Sequence, residues 1–112
     1  MTKYTHFQKK NIVTNQRFFK PTTKYNHYDV NKGESEQHDK EILLQFFELR
    51  RRNHFVCVRG KLLNGKIPDL AVLDTPEIIF KEIMFSETDE RCEAKEYPGR
   101  ILKVKIKKKL IE

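Results

Sequence analysis

The sequence predicts an α/β fold with a mixed central four-stranded sheet in the order αβββαβ, preceded by a basic N-terminal arm. Three observations predict it. Of the 42 apolar residues, 30 lie between Ile42 and Ile106, so the core belongs to the C-terminal two-thirds of the chain. Within that stretch the pattern changes from helical spacing at Ile42–Leu49 to short β-rich runs from Phe55 onward. Turn residues separate the runs at Asn64-Gly65, Asp74-Thr75-Pro76 and Tyr97-Pro98-Gly99.

Residues 1–33 read as an appendage and residues 34–112 as the domain. The arm holds half of the twelve aromatics, among them Phe18, Phe19 and Tyr25, without a clear period of 2 or 3.6. Such a segment can track a phosphate backbone and stack bases, or pack its aromatics onto the domain or a second subunit. Ser35 and an acidic first turn mark the start of a helix. Its inward stripe is Ile42, Leu43, Phe46, Phe47 and Leu49, and it ends in Arg50, Arg51 and Arg52. A strand follows over Phe55–Leu62. Asn64-Gly65 suits a two-residue type I′ turn, which returns the chain antiparallel over Ile67–Leu73. After the Asp74-Thr75-Pro76 turn, Glu77–Phe85 is a third strand. Ser86 then caps a polar helix that stops at Tyr97-Pro98-Gly99, and a right-handed crossover delivers a fourth, parallel strand over Ile101–Ile106.

At 112 residues the chain is about one domain long. Its formal charge of +7 favours an acidic partner such as nucleic acid. The charge is segmented: residues 1–33 carry +6, 34–48 carry −4, 49–66 carry +6 and 67–97 carry −6, before a basic tail. No apolar run approaches the roughly 20 residues of a membrane span, and the N-terminus lacks a signal peptide's apolar stretch, so a cytoplasmic protein is expected. Cys57 and Cys92 are neither a CxxC pair nor near a histidine at ligand spacing, which indicates buried thiols.

Two segments carry the chemistry. In PDLAVLD, Asp69 heads an apolar strand just after Pro68. In IIFKEIMF, Glu82 lies inside one. A carboxylate in a buried strand is costly unless paired or bound to a cation. Neighbouring strands would bring the two together as a hard-oxygen site suited to Mg²⁺ or Mn²⁺. Glu36 leads the helical stripe of residues 36, 39, 43 and 47 and would reach the same metal, although helix-dipole compensation also explains it. Lys103, Lys105 and Lys107 alternate, which makes a basic stripe on one face of the last strand.

With PD opening the second strand and an acid in the third, the chain over about Gly33–Ile106 resembles the PD-(D/E)xK superfamily of restriction-endonuclease-like nucleases. It is most similar to the CoiA-like and archaeal resolvase-like branches. A helix opening resembling the ES-x-H of the CoiA-like pattern appears as Glu34-Ser35-Glu36-Gln37-His38, with one residue more before the histidine, and the strand-three ending as Glu82-Ile83-Met84-Phe85-Ser86. The resemblance implies a metal-dependent DNA endonuclease in which Asp69, Glu82 and the backbone carbonyl of Ile83 hold the metal and Glu36 completes the shell. Family members generally carry Lys, or sometimes Gln or Glu, two residues after the strand-three acid, and this chain has Met84 there. Lys81 is adjacent but points to the opposite face unless a bulge turns it, and Lys40 or Lys95 would be migrated substitutes.

Nucleic acid, expected to be DNA, would be held by Lys9, Lys10, Arg17 and Lys20 of the arm, by Arg50, Arg51, Arg52 and Arg59, and by Lys103, Lys105 and Lys107. Two further readings compete. One is a binding module of the same fold without efficient chemistry, which Met84 favours. The other is an assembly subunit whose arm wraps a partner or a second copy. A two-fold dimer suits a resolvase-like nuclease, and a small basic protein of this kind suits a virus or mobile element, acting then inside the host cell.

Overall fold

The computed structural model describes residues 3–31, 33, 35–84 and 96–105. Among them are two helices, α1 (His6–Gln16) and α2 (Glu36–Arg51), and four strands, β1 (Val56–Val58), β2 (Leu70–Val72), β3 (Ile78–Met84) and β4 (Gly99–Lys105). The strands form one mixed sheet in the order β1-β2-β3-β4. The first three are antiparallel and β4 runs parallel to β3. The helix expected after Ser86 falls on residues 86–95, outside the described residues, as do Glu34, Phe85, Cys92, Lys95 and Lys107. No described helix is long and apolar enough to cross a membrane.

α2 begins where the sequence places it. The Ser35 hydroxyl accepts from the His38 N–H at 3.2 Å, with Glu36 and Asp39 in the first turn and Arg50 and Arg51 in the last. The face it turns to the sheet differs from the expected one. Ile42 and Leu49 are buried and Phe46 packs with them, whereas Phe47 is 57% exposed. At about 100° per residue, the inward line runs through His38, Ile42, Gln45 and Leu49, which leaves Glu36 and Phe47 on the far side.

The sheet is covered on both faces. On one, α2 packs Ile42 and Leu49 against Val56, Leu70, Val72 and Ile83. On the other, Cys57, Leu62, Ala71, Leu73, Ile78 and Phe80 close around Phe19, with Tyr25, Phe55, Tyr97 and Ile101 at the margin. Phe19 belongs to the segment read as an appendage, so the boundary drawn at residue 33 does not separate two packing units. Thr5 caps α1 with a reciprocal Thr5–Gln8 capping box. α1 docks through amides. Buried Asn15 donates to the carbonyls of Leu73 and Thr75 at 2.8 Å, and Gln8 donates to Asp74 Oδ2 at 2.8 Å. The buried Asp74 carboxylate also receives His54 Nδ1 and the Phe55 N–H, at 2.9 and 3.1 Å.

β1 is shorter than the expected Phe55–Leu62 because Arg59 takes a left-handed φ of +51°. That turn aims its guanidinium at Asp39 of α2, at the Asp29 carbonyl and over the Tyr28 ring. The Asn64-Gly65 turn forms at the expected place, but only Gly65 has positive φ, at +88°. Gly65 N–H donates to the Leu62 carbonyl and Leu62 N–H to the Lys66 carbonyl, so the loop is a type I turn closed by a glycine bulge instead of a type I′ turn.

Candidate functional site

Asp69 and Glu82 come together. They sit on adjacent antiparallel strands, one step beyond the Leu70–Lys81 pair of the β2–β3 register. The Asp69 N–H donates to Glu82 Oε2 and the Ile83 N–H donates to Asp69 Oδ2, each at 2.9 Å. The Tyr97 hydroxyl donates to Glu82 Oε1. Glu82 is buried, and Asp69 keeps a partly open side chain. Burial, with the Glu82 charge beside it, pushes the Asp69 carboxyl up to about 6 against the lowering influence of the Ile83 N–H and His38. The site is thus two like charges held side by side in a partly dry corner, an arrangement that favours capture of a proton or a cation.

The third residue at this corner is His38, whose Nε2 lies 3.4 Å from Asp69 Oδ2. It stands on the inward line of α2, one turn before Ile42. Glu36 does not reach the pair. Its carboxylate is exposed and bonds Lys40 Nζ at 3.0 Å, because it lies on the helix face turned from the sheet. The same ion pair removes Lys40 as a migrated lysine. Lys81 is also elsewhere: strand alternation sends it to the α2 face, where Nζ donates to Gln45 Oε1 at 3.1 Å. There burial, then the nearby Arg52 charge, lowers its pKa. Met84 shares the Glu82 side of β3 and is buried. The parallel register sets Lys103 of β4 opposite Glu82 and Lys105 opposite Met84.

The donor set is hard oxygen, which suits Mg²⁺ or Mn²⁺. Mg²⁺ typically keeps several waters and is held by one or two carboxylates, so the pair matches that habit in charge and chemistry. Among the described residues no group of three His, Cys, Asp or Glu is arranged to hold a metal ion. His38 approaches one Asp69 oxygen without joining both carboxylates at a common point.

The expected phosphate contacts divide by what they already hold. Arg50 donates to the Tyr4 hydroxyl and the His54 carbonyl, at 2.8 and 2.6 Å, and Arg59 is committed to Asp39 and Asp29, so both serve the fold. Although burial works the other way, hydrogen bonds from Tyr28 and Arg59 hold the Asp39 carboxyl below its usual range. Arg51 and Arg52 are largely exposed and share Glu48. Lys9, Lys10 and Arg17 are exposed on the outer side of α1 and at its C-cap, and Lys20 is half-buried. Compared with protein-family models, with curated proteins and with solved structures, the chain finds no match in any of the three.

Proposed function

We propose that the protein is a metal-dependent nuclease of the PD-(D/E)xK type that hydrolyses phosphodiesters in nucleic acid. The observation that carries this reading is the convergence of Asp69 and Glu82 from neighbouring strands into one partly buried hydrogen-bonded pair. The observed β1–β4 order fits the restriction-endonuclease-like arrangement. In this reading Asp69 and Glu82 hold the cation, His38 orients Asp69, and Tyr97 orients Glu82. The bound ion supplies Lewis-acid polarisation of the phosphate and a water of lowered pKa. The positive charge that relatives carry two residues after the strand acid comes from β4, where Lys103 and Lys105 stand in register with Glu82 and Met84.

The test is cleavage of labelled duplex, junction and single-stranded substrates in Mg²⁺ and Mn²⁺, alongside calorimetric titration with Mn²⁺. Asp69→Asn and Glu82→Gln are each expected to abolish cleavage and weaken Mn²⁺ binding while leaving nucleic-acid binding intact. Lys105→Gln should slow cleavage by on the order of 100- to 1000-fold if it supplies transition-state charge. A second reading, an inactive binding module, is favoured by buried Met84 and by Glu82 already accepting from Tyr97 and from the Asp69 N–H. It prevails if the wild type binds nucleic acid but cleaves none of the three substrates with either metal.

A further inference from the structure

Phe19 and Leu62 meet in a single antiparallel bridge outside the main sheet. It is closed by Lys20 N–H to the Lys61 carbonyl and Leu63 N–H to the Phe18 carbonyl, both at 2.9 Å. Both central side chains are buried, so alternation along extended backbone sends their neighbours outward. Phe18 and Leu63 are 41% and 57% exposed and lie opposite one another, and Lys20 lies opposite Lys61. Like charges directly across a strand pair repel, and neither ammonium has a carboxylate partner among the described residues. Folding alone gives no reason to place them so.

A hollow opens at each end of this ridge. Beyond Phe18 and Leu63 lies one of about 380 Å³, walled by Leu62, Tyr97 and Pro98, with Asn64 and Glu96 at its edge. At the lysine end lies one of about 440 Å³, lined by Lys24, Lys61 and the Asp39-paired Arg59, with one acid in its lining, Asp29, which bonds His27 at 3.0 Å. Thr22 and Thr23 also line it. An exposed aromatic beside an apolar hollow, two residues from a pair of opposed cations, offers a stacking face and a phosphate seat side by side.

We propose that this ridge binds single-stranded nucleic acid, with a phosphate between Lys20 and Lys61 and an unstacked base against Phe18 and Leu63. The inference rests on the reading of nucleic acid as the partner and names its class. A duplex keeps its base faces in the stack and presents phosphate alone, so it can use the lysines and not Phe18, whereas a single strand uses both. Tyr97 ties the ridge to the carboxylate pair. Tyr97 lines the apolar hollow while its hydroxyl bonds Glu82, so a base seated there is one residue away from the proposed cleavage site.

The experiment is fluorescence anisotropy of the full chain in EDTA with a labelled oligo(dT) strand and with a duplex of equal length. Phe18→Ala is expected to weaken oligo(dT) binding roughly 5- to 100-fold and to leave duplex binding within about twofold. Lys20→Gln and Lys61→Gln should each lower the magnitude of the single-strand salt slope by about 0.7. The chain has no tryptophan, so Phe18→Trp gives a single reporter that should keep affinity and be quenched by oligo(dT). Duplex binding with no preference for the single strand, equal losses on both in Phe18→Ala, or an unquenched Phe18→Trp that still binds overturns the proposal and leaves the nucleic-acid reading standing. Binding to neither overturns both, and directs the ridge to a protein partner.

Discussion

Asp69 is the residue whose chemistry is most at odds with its surroundings. Folded, it holds its proton up to about pH 6, whereas an ordinary carboxyl releases it near 3.8. Between those values the folded state binds more protons than the unfolded one, so stability falls as pH rises and the loss is complete above about pH 6. Metal-free wild type should therefore lose on the order of 1–3 kcal/mol relative to Asp69→Asn between about pH 4 and pH 7. Urea unfolding in EDTA across that window checks it, and parallel pH profiles for the two proteins would contradict it. Asn15 presents the converse case, a buried amide that satisfies two carbonyls of the β2–β3 turn. Asn15→Leu leaves both acceptors without that partner and should cost about 1–3 kcal/mol by denaturant melt, against a few tenths for exposed Thr14→Ala on the same helix.

At the level of elements, α1 and the Phe18–Lys20 segment cover one side of the core. Phe19 fills the face of the sheet opposite α2, and Asn26 exchanges both backbone-directed bonds with Val56, at 2.7 and 2.9 Å. A chain lacking residues 1–33 should therefore fail to give a cooperative thermal transition by circular dichroism. A cooperative melt close to that of the full protein would restore the appendage reading. The start of β4 is similarly constrained: a Cβ at Gly99 would lie 2.3 Å from the Ile78 carbonyl oxygen, a backbone atom of the paired strand. Gly99→Ala must part β3 from β4 and should cost roughly 1–3 kcal/mol, with the loss seen in β4 amide exchange before that of β1.

For the whole molecule, charge is the governing quantity. The net +7 includes guanidinium groups, at Arg50 and Arg59, that are consumed by the fold, so an anionic partner meets chiefly the lysines of α1, the ridge lysines and the exposed Arg51 and Arg52. Affinity for nucleic acid should fall linearly in log salt, with a slope of about −0.7 per phosphate contact on single strands and −0.9 on duplex. Arg50→Gln should leave that slope unchanged while lowering the melting temperature, and Lys9→Gln with Lys10→Gln should do the reverse. A flat salt response would remove nucleic acid as the main partner.

Sequence alone determined the α/β class, the boundaries of α2 and β3, the mixed pairing of the strands, and the meeting of Asp69 with Glu82. These follow from signals local in the chain: a serine cap, apolar runs of strand length, and turn residues at their ends. α1 was hidden because the side it buries is Ile12 with the amides Gln8, Asn11 and Asn15, a helical spacing with one apolar residue where a stripe would mark a helix. The Thr5-x-x-Gln8 capping box was its one local signal. Tertiary structure alone decided which face of α2 meets the sheet, and with it the replacement of Glu36 by His38 beside Asp69. The physical reason is that Ile42, Leu43, Leu44, Phe46, Phe47 and Leu49 are apolar over more of the helix circumference than one sheet can cover, so the pattern admits more than one phase. The contacts that choose between them, Asp39 with Arg59, His38 with Asp69 and Gln45 with Lys81, join residues 20 to 36 positions apart, and no periodicity within the helix encodes them.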